Sequence, residues 1–331
     1  MMSIPAVAVV AVVLAATAPI WALLTAVGDL VTGRRRLPTT RLLAFALAWS
    51  WLETLGVAAS AALWAAGRRR DLASHYRLQR WWAANLMRAL RRTTGLRVEV
   101  EHSEVLRPGP VIVLSRHASL ADSLVSAWLL TSLADMRPRY VLKRELLLDP
   151  CLDIVGHRLP NHFLDRDAAD SSAELAQLTQ LVADLGPRDA AVIFPEGTRA
   201  TPAKRTRALE RIAERDPERA RRLAPLRHLL PPRPAGSIAM IEGCPTADVV
   251  ITWHTGFDGL DTFRGIRRAL GRGVPVARVA ATRIARETIP TGRTLADWLD
   301  AQWLEADRAV AELFGRDTPH RSSSRPTITR S

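Results

Sequence analysis

The segment SRHASLAD at 115–122 sets an imidazole, His117, five residues before a carboxylate, Asp122. It follows PVIVLS at 110–115, a run of β-formers, and precedes the apolar SLVSAWLLTSL. A strand-to-helix turn of this length brings Asp122 beside His117. The carboxylate then fixes the ring tautomer and stabilises the imidazolium, which leaves the other ring nitrogen free as a general base. Alone, the pair reads equally well as a structural histidine satisfied by a nearby acid. Ser115 and Ser119 flank the histidine, but no G-x-S-x-G elbow surrounds them, so a covalent serine mechanism lacks its signature.

A second block, FPEGTR at 194–199, also leaves an apolar strand. It offers backbone N–H groups around Gly197, the hydroxyl of Thr198 and the fork of Arg199, which can donate two parallel hydrogen bonds to a phosphate. Glu196 suits an arginine or a substrate hydroxyl. HFLDRD at 162–167 adds Asp165 and, as a second phosphate clamp, Arg166. Taken singly, each of these blocks is an ordinary turn. Cys151 and Cys244 form neither metal spacing nor a disulfide framework, so no metal site is expected.

Together, in this order, the blocks resemble the glycerolipid acyltransferase family, which includes 1-acylglycerol-3-phosphate and lysophospholipid acyltransferases. That family carries a histidine, four residues and an aspartate. A Phe-rich block with Asp-Arg follows, and then FPEGTR. YVLKREL at 140–146 looks like its segment between the first two blocks. EGTRATPAK, LRHLLPPRPAG at 226–236 and WLDAQWLEAD at 298–307 look like the branch with lysophosphatidate and lysocardiolipin acyltransferases. The likeness covers roughly residues 96–310. Arg116 stands where the family often has asparagine, and DVVITWHTG is a loose match to its fourth block.

The resemblance implies that His117, oriented by Asp122, deprotonates an acceptor hydroxyl, which attacks the thioester of acyl-CoA or acyl-carrier protein. Arg166 and Arg199, with Glu196, Gly197 and Thr198, would hold the acceptor phosphate; Lys143 and Asp165 are further candidate contacts to acceptor or acyl donor. The thioester is a co-substrate, and no bound cofactor is implied. 1-Acylglycerol-3-phosphate is the first candidate acceptor, with lysocardiolipin and lysophosphatidylinositol as alternatives.

The remaining sequence must position these groups. From residue 96 strand-like runs at 110–115, 139–142, 190–195 and 248–253 alternate with helical stretches, including 120–134 and 171–185. This pattern predicts an α/β domain over 96–315, a central mixed sheet flanked by helices. Residues 200–229 read as helical up to Pro231-Pro232, and 292–315 as a final amphipathic helix. The polar tail, 316–331, reads as disordered.

A mean hydropathy near zero hides a split, because residues 1–66 are far more apolar than the rest. Residues 4–28 lack any charge and are long enough to cross a bilayer. A second apolar stretch, 42–66, carries Glu53 near its centre. Arginine clusters follow both, at Arg34–Arg36 and Arg68–Arg70; two full crossings would put them on opposite sides, against the positive-inside tendency. A re-entrant or in-plane second segment avoids this. It implies a membrane protein, in a bacterial inner membrane, with its catalytic domain on the cytoplasmic side.

Residues 67–95 contain a basic amphipathic helix that suits either a bilayer interface or a core. The net charge of +13 points to anionic partners, here a membrane surface and phosphorylated substrates. A non-catalytic basic membrane-surface protein would share that charge, but it leaves His117, Asp122 and 194–199 unexplained. The basic residues are scattered with no recognition module, so nucleic acid is not an expected partner.

Overall fold

The computed structural model describes residues 4–119, 121–148, 150–164, 171–258, 260 and 262–317. Asp165 and Arg166 lie outside the described residues, as do 318–331.

Four helices open the chain: α1 (Ile4–Ala16), α2 (Ala18–Val31), α3 (Pro38–Ala65) and α4 (Leu72–Thr94). The charge-free segment expected as one span is broken between α1 and α2 by a 70° bend, just before Pro19. A proline ring inside a helix removes a hydrogen bond and crowds the preceding turn. The second apolar segment, for which a re-entrant or in-plane course is expected, is one unbroken helix, and the bend falls in the first. Glu53 on α3 is fully buried and accepts the Trp82 Nε1–H of α4 at 3.0 Å.

Antiparallel packing of α3 on α4 runs from Arg41, which donates to the Thr93 carbonyl at 2.9 Å, to Glu53 against Trp82, with Leu63 beyond on the cluster of Leu78 and Val155. The opposite face of α4 buries Ala83 and Met87 in the domain core. The amphipathic pattern of α4 is thus satisfied by core packing.

The domain is built on β1 (Arg97–Glu101), β2 (Val111–Ser115), β3 (Arg137–Lys143), β4 (His162–Leu164), β5 (Asp189–Ile193), β6 (Asp248–Thr255) and β7 (Val276–Ile284). They form one seven-stranded sheet in the order β1-β7-β6-β2-β5-β3-β4. Strands β2 to β6 run parallel, while β7 is antiparallel to β6 and parallel to β1. Every residue of β2 is buried, as a Val/Ile/Leu run covered on both faces should be.

Successive β2 side chains feed opposite layers. Ile112 and Leu114 join α7 (Ser171–Val182), α10 (Pro234–Gly243) and α12 (Leu295–Asp317) through Leu178, Met240 and Trp303. Val111 and Val113 join α4 and α5 (Asp122–Trp128) through Met87 and Val125. Helix α6 (Pro150–Gly156) meets the edge strand β4 where Gly156 approaches the Phe163 ring.

The helix expected over 200–229 divides into α8 (Pro202–Ala213) and α9 (Pro217–Leu223). Asp216 restarts it by accepting the Arg219 N–H at 2.9 Å, with Pro217 in the first turn where its missing N–H is harmless. The remaining helix, α11 (Phe263–Arg272), stands between β6 and β7. Helix α12 continues through Asp317, two residues into the expected tail.

Candidate active site

Strands β2 and β5 pair in parallel, Leu114 against Ile193, so both end at the same edge of the sheet. Their C-terminal turns therefore meet. His117 leaves β2, and its ring lies 4.9 Å from that of Phe194, which leaves β5. The Ala200 N–H donates to the His117 carbonyl at 2.8 Å and ties the two turns together.

His117 Nδ1 lies 3.0 Å from Asp122 Oδ2, as the five-residue spacing predicts. That oxygen also accepts the N–H groups of Ala118 at 2.6 Å and Ser119 at 2.8 Å, and Ser119 Oγ donates to Oδ1. Asp122 is buried beneath the turn, whereas His117 is partly exposed. Burial opposes ionisation of Asp122, but the adjacent His254, the His117 bond and the Ser119 bonds outweigh it and hold the carboxyl below its usual range. With Nδ1 committed to Asp122, Nε2 is the ring nitrogen left for chemistry.

Sequence reasoning did not single out His254. It reaches Asp122 from β6, with Nε2 3.4 Å from Oδ1. It is buried, and burial depresses its pKa, which favours the neutral ring. Arg116, the departure from the usual asparagine, lies under the site rather than in it. It is 1% exposed, donates to the His254 carbonyl and pairs with Asp258.

Glu196 is also beneath the site. One carboxylate oxygen accepts the His117 N–H at 2.7 Å and the other the Leu230 N–H at 2.9 Å. Burial pushes its pKa up to about 8, against the pull of those two bonds and of Arg116. Its observed partners are thus the backbone of two loops. Asp307 of α12 extends the brace by accepting the N–H groups of Arg227, His228 and Leu229 at 2.9, 2.7 and 2.8 Å. The 298–307 motif therefore holds the 226–236 motif, which holds Glu196, which holds His117.

Above this frame lies a cavity of about 510 Å³. His117, Lys143, Gly197, Arg199 and Arg233 line it, together with an apolar set that includes Val141, Leu142, Leu164, Leu175, Leu178 and Ile193. Gly197 has φ +67°, and a side chain on it would press on the Arg233 guanidinium, with Nε 3.1 Å from a Cβ. That arginine, singled out only by structure, is placed by its own N–H donating to the Pro195 carbonyl at 2.8 Å. Thr198 Oγ1 accepts from Lys204 Nζ at 3.1 Å. Of the expected site residues, His117, Lys143, Gly197 and Arg199 share the cavity, Asp122 and Glu196 support it from below, and Thr198 is engaged by Lys204.

A histidine–aspartate pair thus faces a cavity with guanidinium groups and apolar walls, at one edge of an α/β sheet. A family model described as Acyltransferase matches residues 97–251, which hold the His117–Asp122 and 194–199 blocks. That match covers the part of the chain that carries the resemblance to glycerolipid acyltransferases. The mouse 1-acyl-sn-glycerol-3-phosphate acyltransferase epsilon is 26% identical over 231 residues, covering 65% of this chain and 61% of that protein. The chain thus spans less than two thirds of that relative's length. The crystal structure of the 1-acyl-sn-glycerophosphate (LPA) acyltransferase PlsC from Thermotoga maritima is similar at 16% identity and a TM-score of 0.47, over 72% of this chain and 83% of that chain.

Proposed function

We propose that the protein transfers a fatty acyl group from an acyl thioester, acyl-CoA or acyl-carrier protein, to the free hydroxyl of a lysophospholipid, with 1-acylglycerol-3-phosphate as first candidate. The observation that carries this reading is the Asp122-oriented His117 at a cavity that is cationic on one side and apolar on the other.

His117 Nε2 takes the hydroxyl proton as the acceptor oxygen attacks the thioester carbonyl. The C–S bond breaks, the new ester keeps the acyl group, and the thiolate takes the proton back from the imidazolium. Asp122 stabilises that imidazolium in between. Arg199 and Arg233 are the cations placed to hold the acceptor phosphate; such positioning makes the encounter effectively unimolecular, worth up to roughly 7–11 kcal/mol in well-oriented systems. Arg166 remains a proposed second clamp, and Lys143 and Asp165 proposed contacts.

An acyl chain needs an apolar path. A second cavity of about 110 Å³, between α3, α4 and α6, shares Ser123 and Leu142 with the first. The apolar lining therefore continues from His117 toward α3. A membrane seat agrees with this. Helix α3 has a mean hydropathy of 1.5 over its most apolar window and turns Trp51, Leu55 and Trp64 outward. Its other face is fixed along α4, which supports an in-plane seat over a crossing; the bilayer proposed is a bacterial inner membrane, with the domain on its cytoplasmic side.

The direct test is the purified full chain with one labelled acyl-CoA and a panel of acceptors: lysophosphatidate, lysocardiolipin, lysophosphatidylinositol and unphosphorylated monoacylglycerol. Acyl transfer to a phosphorylated acceptor is expected, with none to monoacylglycerol. Thioester hydrolysis without transfer to any acceptor would sink the reading.

A further inference from the structure

The β6–β7 connection leaves the sheet from Thr255 and re-enters at Val276, at the edge where β2 and β5 deliver His117 and Phe194. Its helix, α11, plays no part in the site. Thr262 caps it by accepting the Gly265 N–H at 3.1 Å, and Leu270, 2% exposed, anchors its inner face. The outer face carries Arg264, Arg267, Arg268 and Arg272, all exposed, behind Phe263, which is 79% exposed. None of the four arginines forms an ion pair with a described residue, and no acidic residue occurs from 263 to 275.

An exposed phenylalanine beside four cations with no ion pair among the described residues is a poor solvent face for a helix. It matches the two layers of a bilayer surface, with phosphates outside and acyl chains beneath. The neighbours point the same way. Helix α11 packs on α3, and a Cβ on Gly271 would meet Pro38 Cγ at 4.0 Å. The turn before α3 holds Arg34, Arg35 and Arg36, and α2 before it ends in the exposed Leu30 and Val31.

We infer that α11 is a second membrane-contact element, which docks on anionic lipid headgroups with Phe263 inserted. The inference rests on the membrane-associated reading above. With α2 and α3 seated at one side and α11 at the sheet edge that carries His117, two elements hold the domain against the lipid that supplies its acceptor.

The test uses the full chain reconstituted with vesicles of phosphatidylcholine, with or without phosphatidylglycerol. An environment-sensitive dye is attached to Phe263→Cys after Cys151→Ser and Cys244→Ser. A blue-shifted emission, quenched by brominated acyl chains, is expected in anionic vesicles. Both signals should fall at high salt and in the combined R264Q, R267Q, R268Q, R272Q variant, by about fivefold in docked-to-free ratio per arginine removed. Trypsin cleavage at the same arginines reads the contact without any substitution: anionic vesicles should protect them and neutral vesicles should not.

A dye that stays in water, with no protection, while the chain floats with anionic vesicles overturns the inference and leaves the membrane reading intact. A chain that floats with neither vesicle overturns both. Lost transfer from carrier protein alone in the four-arginine variant, without lipid quenching in the parent, would instead assign the face to an acidic protein and overturn the inference.

Discussion

Asp122 and Glu196 are both buried carboxyls within reach of His117, yet their surroundings drive them in opposite directions. Asp122 holds its charge and orients the ring, so His117→Ala should lower acyl transfer by about 10²- to 10⁴-fold with the thermal midpoint nearly unchanged. The measurement is initial rate against melting temperature. Burial pushes the Glu196 carboxyl the other way, up to about 8. Because the folded form binds a proton that the unfolded chain releases at lower pH, stability should decline from the ordinary carboxylate range up to about 8 and level off above it. Glu196→Gln should flatten that slope in denaturant titrations across pH. It should also destabilise by about 1–3 kcal/mol, since the amide nitrogen cannot accept one of the two N–H bonds. Arg233→Ala, which removes a cation above Gly197, should raise the KM for a phosphorylated acceptor more than it lowers kcat.

The elements matter because they place loops. Helix α12 runs beneath the sheet, yet Asp307 holds three consecutive backbone N–H groups of the 227–229 loop, and the Trp303 Nε1–H donates to the Leu230 carbonyl at 3.0 Å. Asp307→Ala leaves the three donors without that acceptor; only Leu229 is buried, so the change should destabilise by about 1–3 kcal/mol, the cost of one buried group left unpaired. It should lower activity as well, through Leu230 and Glu196, although it contacts no substrate. Urea unfolding and steady-state rates, measured on the same preparation, check both. The parallel β2–β5 pair is the other placing element: it ends two strands together, so two turns far apart in sequence share one cavity.

At the scale of the molecule, a basic α/β domain carries an apolar layer on one side. The layer is α1, α2 and the outer face of α3, whose inner face is fixed on α4. The apolar layer and the cavity therefore draw on separate residues. His117→Ala should float with phospholipid vesicles as the parent does, while removal of residues 1–37 should reduce flotation of a chain that keeps the cavity residues. Density-gradient flotation followed by immunoblotting distinguishes these outcomes.

Much of the site was legible in the sequence because its signals are local. A β-branched run followed by a polar turn and an apolar helix predicts where His117 sits, and five residues suffice to return Asp122 to it. The α4 amphipathic period, the α/β alternation and the strands β2, β3, β5 and β6 are local in the same way. Strand β1, RVEVE, was missed because an edge strand alternates charge with a few small apolar residues, and β7 because its pattern is interrupted by alanine and arginine. The break before Pro19 had a local signal that the charge-free run concealed.

Tertiary structure alone decided which groups meet. No spacing tells that Glu196 braces two loops, that Arg116 turns beneath the site, that His254 flanks Asp122, or that Arg233 stands over Gly197. The sequence by itself determined the His117–Asp122 pair, because a short turn fixes both its distance and its direction. The raised pKa of Glu196 and the company of that pair were decided only when strands and loops remote in sequence were packed together. Burial and hydrogen-bond partners set the charge of a polar group, and both come from residues tens to hundreds of positions away.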